Sequence, residues 1–210
     1  MMALDRNNLI FDLGGVLLNI NPRATADAFA SMGVDKVLIS DCFNLVNPVL
    51  RGLECGTVAP DELYSLVAGS MGLEATPEVV QRIKGVWCSM LLDAPVEKFR
   101  RLRALREQGY KVFLLSNTNA IHWEMIERIV CALEGRRLAD YFDGVYLSFE
   151  MHLCKPDVAI FEQLLAAEGV AAADCIFFDD TPANCEAAAS LGIDAYLLER
   201  NGAWPEWLIG

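Results

Sequence analysis

The chain has 210 residues, 54% of them hydrophobic, with 17 Lys and Arg against 29 Asp and Glu, for a formal net charge of -12. This length and composition exclude a disordered chain and allow one domain, or one domain with an insertion. The acidic charge argues against a nucleic-acid partner, because binding a phosphate backbone requires clustered Lys and Arg.

The N-terminal segment and the cysteines concern the cellular compartment. The segment "MMALDRNN" carries two charges, and the apolar run after it soon meets Asp12, so we expect neither a signal peptide nor a membrane span. The seven cysteines are odd in number and include no Cys-x-x-Cys pair. We interpret them as reduced thiols and expect a cytoplasmic protein, monomeric and without a membrane partner.

Five short apolar runs follow in chain order, most of them without the alternation of a half-buried strand. We interpret them as buried parallel strands: "NLIFDL" (8–13), "KVFLLSN" (111–117), "GVYLSFE" (144–150), "CIFFDD" (175–180) and "IDAYLLE" (193–199). Helical patterns separate the last four runs. Strands that alternate with helices predict a parallel α/β sheet with right-handed crossovers.

The long interval between the first two strands breaks this alternation. It contains helical patterns at 23–31, 60–71 and 77–91, but no convincing strand. We interpret it as an inserted helical subdomain that follows Asp12 directly. The predicted division is a core of residues 1–17 and 93–210 and a helical subdomain of residues 18–92.

Later helical patterns fall near 96–109, 160–169 and 182–191. In the first of these, Arg100, Arg101, Arg103 and Arg106 lie on faces other than the apolar one. We therefore interpret this basic cluster as a solvated helix face rather than a binding site.

Polar residues gather at the carboxyl ends of the predicted strands, where an open parallel sheet binds its ligands. In chain order they are Asp12, Ser116, Asn117, Lys155, Asp179 and Asp180. Clustered carboxylates repel one another, and a divalent cation with oxygen ligands such as Mg²⁺ removes the conflict. Mg²⁺, a lysine and a hydroxyl together suit a phosphoryl group. An ionised Asp12 could then attack phosphorus, and Gly14 and Gly15 would let backbone N–H groups approach the phosphate.

Four segments, "FDLGGVL", "LLSNTN", "CKPD" and "FFDD", occur in this order at the predicted strand ends. Together they resemble the four motifs of the haloacid dehalogenase (HAD) superfamily along essentially the whole chain, with the inserted helical cap of its first class (C1). Longer segments such as "FFDDTPANCEAAASLGI" look closest to the bacterial α-D-glucose-1-phosphatase-like branch. The resemblance implies a doubly wound, Rossmann-like sheet. It also implies a Mg²⁺-dependent phosphatase acting on a small phosphorylated metabolite such as a hexose 1-phosphate.

The same resemblance implies a role for each motif residue. Asp12 would be the nucleophile, assisted by Lys155 and Ser116. The implied phosphate binders are Ser116, Asn117, Lys155, Leu13 and Gly14. The implied metal ligands are Asp12, the Gly14 carbonyl, Asp179 and Asp180, with Asp180 expected in direct contact.

Position 14 departs from the usual family pattern. Most phosphatases of the superfamily place a second Asp two residues after the nucleophile, where it protonates the leaving oxygen and later activates water. Here that residue is Gly14, as in the α-D-glucose-1-phosphatase-like branch. General acid–base help, typically ~10²–10⁴-fold, is then missing or comes from another group. If it is missing, turnover should depend steeply on the leaving group. We interpret His122 and His152 as satisfied or solvent-facing, although His122 follows the second motif.

Two alternative functions stay open at this point. A 2-haloacid dehalogenase would use the same nucleophile on carbon and need no metal. The extra carboxylates of "FFDD" argue against it, because they would repel a carboxylate substrate. A non-catalytic phosphate-binding or regulatory protein is the other alternative, suggested by Gly14.

Overall fold

A computed structural model of the chain describes residues 6–44 and 47–209. The ends of the predicted core (residues 1–5 and 210) and residues 45 and 46 of the predicted cap lie outside the described residues. Of the N-terminal segment "MMALDRNN", the structure describes only residues 6–8.

A single sheet of five parallel strands forms the centre of the fold. The strands are β1 (Asn8–Phe11), β2 (Lys111–Ser116), β3 (Gly144–Leu147), β4 (Cys175–Asp179) and β5 (Asp194–Leu197). Their order across the sheet is β3-β2-β1-β4-β5. In the register of the central strand, Phe11 pairs with Leu114 on one side and Phe178 on the other. The predicted doubly wound parallel sheet is confirmed. Strands β2 and β3 lie on one side of β1, and β4 and β5 lie on the other. Ligands bind at such a switch in strand order.

Helices make up most of the remaining described residues. In chain order they are α1 (Pro22–Met32), α2 (Lys36–Asn44), α3 (Pro48–Glu54), α4 (Pro60–Ser70), α5 (Pro77–Trp87), α6 (Val96–Glu107), α7 (Ala120–Glu134), α8 (Ser148–Met151), α9 (Val158–Glu168), α10 (Pro182–Ser190) and α11 (Glu206–Ile209). Short 3₁₀ helices lie at Cys88–Met90, Leu138–Tyr141 and Ala172–Asp174.

The two faces of the sheet carry separate apolar layers, because successive side chains of a strand point to opposite faces. Leu9 and Phe11 pack in one buried cluster with side chains of α6 and α7. Ile10, between them, packs in the other cluster with side chains of α9 and α10. The sheet is therefore covered on both sides, which agrees with the apolar, non-alternating sequence of its strands.

Helices α1 to α5 form a third apolar cluster over the carboxyl end of the sheet. Its fully buried members include Phe29, Val67 and Ile83, and Ile121 of α7 joins it from the core side. Four of the five helices carry Pro in their first turn, where its missing N–H costs no hydrogen bond. We call residues 18–92 the cap, as predicted, and its exact limits stay a prediction.

The two connections between cap and core run side by side. The N–H of Asn19 donates to the Asp93 carbonyl at 2.8 Å, and the N–H of Leu92 donates to the Asn19 carbonyl at 3.0 Å. An isolated antiparallel bridge joins Ile20 and Leu91. The chain thus leaves the core and returns to it at one point.

Two expectations need correction. Residues 148–150 are helical rather than part of the third strand, because α8 begins at Ser148, whose Oγ accepts the N–H of Thr118 at 2.9 Å. The seven cysteines are not all reduced thiols, since Cys55 and Cys154 form a disulfide. These two residues are separated by 99 positions and meet only when the cap packs on the core. In the described part of the chain, no helix is long and apolar enough to cross a membrane.

Candidate active site

Asp12 lies just beyond the end of the central strand, on the floor of a cavity of about 340 Å³. Its backbone N–H donates to the Phe178 carbonyl at 2.9 Å, which extends the pairing of β1 with β4 by one residue. The residue is only 8% exposed. The ladder of the sheet therefore sets the position of this carboxylate.

Lys155 joins the carboxylates of two different strand ends. Its Nζ donates to Asp12 Oδ1 at 2.8 Å, to Asp179 Oδ2 at 2.7 Å and to the Leu115 carbonyl at 2.9 Å. These three contacts use all three ammonium donors. Burial works to lower the pKa of Lys155, but the attraction of Asp12 and Asp179 outweighs it and holds the pKa above its ordinary value. The lysine therefore stays charged.

The backbone around Lys155 is fixed by Asn117. The Asn117 amide donates to the Lys155 carbonyl at 2.9 Å and accepts the Lys155 N–H at 2.9 Å. The Lys155–Pro156 peptide bond is cis. Since this side-chain amide is engaged with the lysine, the phosphate-binding role predicted for Asn117 would rest on its backbone N–H.

Asp179 and Asp180 are neighbours in sequence with different surroundings. Both oxygens of Asp179 are taken within the protein, by Lys155, by the Thr181 N–H at 2.8 Å and by the amide of Asn184 at 3.0 and 3.1 Å. Asp180 contacts the Thr181 hydroxyl at 3.3 Å and pairs with Arg200, a half-exposed residue. Asp180 therefore has fewer partners within the protein than Asp179, and its direct contact with the metal stays a prediction.

The carboxylates lie close enough to share a cation. One oxygen from each of Asp12, Asp179 and Asp180 can be chosen so that all three lie within 4.8 Å of one another. Burial raises the pKa of Asp12 to about 7, with Lys155 opposing the rise and Asp179 adding to it. A hard divalent cation favours carboxylate oxygens and would return Asp12 to its ionised form. The residues present thus fit Mg²⁺.

The glycine pair after Asp12 serves two different needs. Gly15 has φ +81°, and a Cβ there would lie 2.5 Å from Asp180 Oδ2, so the turn and the carboxylate both require glycine. At Gly14, a Cβ would meet only the Ile20 side chain, at 3.4 Å. A side chain at position 14 is therefore compatible with the space available.

The second motif continues the wall of the cavity. Ser116 is buried at the end of β2, and its Oγ lies 3.4 Å from the Asn117 carbonyl, a long contact that leaves the hydroxyl able to turn. Asn119 caps α7 by accepting the N–H of His122 at 3.0 Å. This cap starts α7 directly beside the site.

His122 lies beside the site but is fully engaged. Its Nδ1 contacts the Asn119 amide at 3.2 Å, and its Nε2 lies 3.0 Å from the Trp87 carbonyl, to which it donates. Burial lowers the pKa of His122 to about 4. The imidazole is therefore neutral at physiological pH and holds cap and core together, which agrees with the expected satisfied histidine.

The structure brings all the predicted site residues into one cavity wall or its immediate support. Sequence reasoning missed Asn184, which holds Asp179, and Arg200, which pairs with Asp180. Asn184 follows "FFDD" in the first turn of α10, so its spacing was a usable signal. Arg200 lies beyond the last strand, where no motif pointed to it.

The sequence matches the family model for haloacid dehalogenase-like hydrolases over residues 7–192. A D-ribitol-5-phosphate phosphatase of Bacteroides thetaiotaomicron is 28% identical over 202 residues, covering 96% of each chain. Phosphatase MT3486 of Mycobacterium tuberculosis is 34% identical over 218 residues, covering 92% of this chain and 88% of the relative.

Solved structures agree with these relatives. A HAD family enzyme from Bacteroides thetaiotaomicron, in complex with magnesium and inorganic phosphate, superposes with a TM-score of 0.87 at 33% identity, covering 96% of this chain and 98% of that one. An L-2-haloacid dehalogenase reaches a TM-score of 0.59 at 18% identity, covering 93% and 85%, and shares the fold alone. The expected phosphatase-type enzyme is confirmed by the family and its phosphatase relatives. The chain belongs to the haloacid dehalogenase-like hydrolase family.

Proposed function

We propose that this enzyme is a Mg²⁺-dependent phosphatase that hydrolyses a sugar or sugar-alcohol phosphate through a phosphorylated Asp12. The observation that carries the proposal is the junction of Asp12, Lys155 and Asp179 at the carboxyl ends of β1 and β4, with Asp180 beside it. This arrangement presents a carboxylate oxygen, an ammonium group and further carboxylates to one cavity, as phosphoryl transfer to Asp requires.

Each predicted site residue has a role in this proposal. Asp12 attacks phosphorus, and the charge of Lys155 stabilises the negative oxygens of the phosphoryl group. The Ser116 hydroxyl and the backbone N–H groups of Leu13, Gly14 and Asn117 supply hydrogen bonds to the same oxygens. Asp179 positions Lys155, because its carboxylate accepts from the ammonium group and is itself held by Asn184.

The metal would be held by Asp12, Asp180 and the Gly14 carbonyl, while Asp179, also predicted as a ligand, has both oxygens engaged within the protein and would lie nearby. Bound there, Mg²⁺ would supply positive charge to the phosphoryl oxygens and relieve the repulsion among the carboxylates. The HAD family enzyme from Bacteroides thetaiotaomicron that contains magnesium and phosphate supports this cofactor.

The substrate class rests on two supports. The motif sequences resemble the α-D-glucose-1-phosphatase-like branch, which favours a hexose 1-phosphate. The D-ribitol-5-phosphate phosphatase relative favours a linear sugar-alcohol phosphate. Both are small, hydroxyl-rich monoesters, so we propose this class and keep the hexose 1-phosphate as the specific prediction. The cytoplasmic location and monomeric state also stay predictions.

The proposed function is tested by measuring phosphate release from a panel of sugar and sugar-alcohol phosphates with Mg²⁺ and with EDTA. We expect turnover with Mg²⁺, loss in EDTA, and recovery when Mg²⁺ is added back. Chloroacids serve as the parallel substrates for the dehalogenase alternative. Full activity in EDTA, or halide release without phosphate release, would reject the proposal.

A further inference from the structure

We propose that Glu54 of the cap is the general acid and base of the reaction, replacing the Asp that Gly14 lacks in the core. This inference rests on the proposed phosphatase function. In the reaction, the leaving oxygen must gain a proton and the attacking water must lose one. Gly14 has no side chain to transfer these protons, and both ring nitrogens of His122 are engaged.

The backbone of Glu54 is fixed next to the active-site loop. Glu54 is the last residue of α3, and its carbonyl accepts the hydroxyl proton of Ser148 at 2.7 Å. The next residue, Cys55, is joined by the disulfide to Cys154, with the two Cα atoms 5.9 Å apart. Glu54 and Lys155 therefore flank the two ends of one covalent bridge between cap and core.

A close backbone approach reinforces this position. Gly56 has φ +65°, and a Cβ at this residue would overlap the Phe149 carbonyl oxygen. The Cys55 carbonyl also lies 3.2 Å from His152 Nδ1. The end of α3 thus contacts the segment from α8 to Lys155 through both backbone and side-chain groups.

The Glu54 side chain lines a second cavity, of about 460 Å³, whose wall includes Arg51, Asn117, Lys155, Pro156 and Asp157. Asn117, Lys155 and Pro156 also line the cavity that contains Asp12. Three residues therefore line both cavities, and two of them, Asn117 and Lys155, are predicted phosphate binders. The proposal places the leaving group in this second cavity, beside Glu54, when the phosphoryl group is at Asp12.

The environment of the Glu54 carboxyl suits proton transfer. Among the described residues, none forms a hydrogen bond or ion pair with this carboxyl, and burial raises its pKa to about 7. The charged groups that line the same cavity are Arg51, Lys155 and Asp157, while His152 faces the adjacent Cys55 carbonyl. A pKa near the working pH lets one group both donate and accept a proton.

The proposed steps balance as follows. An Asp12 oxygen forms a bond to phosphorus, the bond from phosphorus to the leaving oxygen breaks, and that oxygen keeps the electron pair and takes the proton of Glu54. The alcohol leaves. Water then attacks phosphorus and gives a proton to the Glu54 carboxylate, and the bond from phosphorus to Asp12 breaks with its electron pair returning to Asp12. Phosphate leaves, and Glu54 is again protonated.

The test compares Glu54→Gln with the native enzyme on 4-nitrophenyl phosphate and on a simple alkyl phosphate. The nitrophenolate leaves without a proton, so we expect kcat/KM, which reports the phosphorylation of Asp12, to fall about fivefold or less on the aryl ester and roughly 10²-fold or more on the alkyl ester. The native kcat/KM on the alkyl ester should fall as pH rises past about 7, the pKa of Glu54, and this basic limb should vanish in the variant. Glu62→Gln, at an exposed cap carboxyl, is the matched control.

Each outcome decides the proposal. Equal losses of kcat/KM on the two esters would show a binding or structural role and overturn it, whereas kcat is expected to fall on both because hydrolysis of phosphorylated Asp12 uses Glu54 for every substrate. If Glu54→Gln does not fold, the native enzyme and Glu54→Asp decide. Native kcat/KM should depend only weakly on leaving-group pKa, and Glu54→Asp should keep the basic limb, whereas a steep native dependence overturns the role. A native enzyme that releases phosphate from no ester rejects the proposed function itself, a result distinct from the others.

Discussion

The floor of the active site, formed by Asp12, Lys155 and Asp179, contrasts with the cap wall, by which we mean Glu54 at the end of α3. The two differ in how completely their charges are compensated. On the floor, Lys155 uses every donor and Asp179 uses both oxygens within the protein. On the cap wall, the described residues offer the Glu54 carboxyl no partner. In the proposed reaction, the floor is thus arranged in advance for the phosphoryl group that all substrates share. In the same reaction, the unpaired Glu54 carboxyl of the cap serves the leaving group, which varies between substrates.

The largest expected effect lies on the floor, at Asp12. Asp12→Asn keeps the shape and still accepts a hydrogen bond from Lys155, but a neutral amide is a poor nucleophile. We expect kcat to fall by about 10³-fold or more, with the melting temperature nearly unchanged. Asp27→Asn, at an exposed residue of α1, is the control. Substantial turnover by a folded Asp12→Asn enzyme would show that Asp12 is not the nucleophile. The floor would then have no larger role in the reaction than the cap wall.

Lys155 tests whether the floor depends on charge compensation for its stability. Lys155→Met leaves Asp12 and Asp179 buried without their cation, and breaking a buried pair in this way typically costs about 3–5 kcal/mol. Urea unfolding without metal measures this loss. Lys36→Met, at an exposed residue of α2, should change little. A Lys155→Met protein of native stability would mean that the floor is not held together by its charges.

Replacing Glu54 should raise the free energy of unfolding at high pH, whereas replacing Lys155 should lower it. Its pKa in the folded protein is about 7, above the ordinary 4.5, so its stabilising contribution is complete below pH 4.5 and is lost as pH rises through 7. Glu54→Gln should therefore be more stable than the native protein at pH 8, by roughly 1–3 kcal/mol for this partly exposed group, and equal to it at pH 4.

Urea unfolding at the two pH values checks this sign. The low pKa of His122, about 4, makes stability fall as pH drops from 6.5, but it acts in both proteins and cancels from the comparison. A Glu54→Gln protein that is less stable at pH 8 would show that the carboxylate has a stabilising partner after all.

The smallest expected effect concerns the link between floor and wall. Reducing the Cys55–Cys154 disulfide leaves the Ser148 and His152 contacts of the α3 end in place. Hydrogen exchange of the α3 end should therefore rise only a few-fold with dithiothreitol, because local opening no longer has a covalent restraint. The Cys154→Ser variant should exchange equally with and without reductant. A large rise across all of α1 to α5 would instead show that the disulfide holds the whole cap.

Much of the floor could be predicted from the sequence, because Asp12 follows a strand directly and Ser116 and Asp179 are the last residues of theirs. An apolar run fixes where a parallel strand ends, and parallel strands end at the same edge of the sheet. Asp12, Ser116 and Asp179 could therefore be placed together from the order of the apolar runs alone. The third strand was predicted too long, since "SFE" continues its apolar character into a helical turn.

The cap wall could not be predicted in the same way. The position of Glu54 depends on how α3 packs against α8, on the disulfide to Cys154 and on the close approach at Gly56. These contacts join residues about a hundred positions apart, and no periodicity in the sequence encodes them. The role of Arg200 could not be predicted either, because its pairing with Asp180 depends on the path of the chain after β5.

The side-by-side connections at Asn19 and Asp93 affect how the enzyme can change over evolutionary time. Because both crossings meet at one hydrogen-bonded point, a longer, shorter or different insert can occupy the space between them without moving any strand. The strand ends with Asp12, Lys155 and Asp179 and the helices that cover them are thus encoded in separable stretches of the gene. Recombination at these two codon positions would replace α1 to α5, Glu54 included, and leave the five strands as they are.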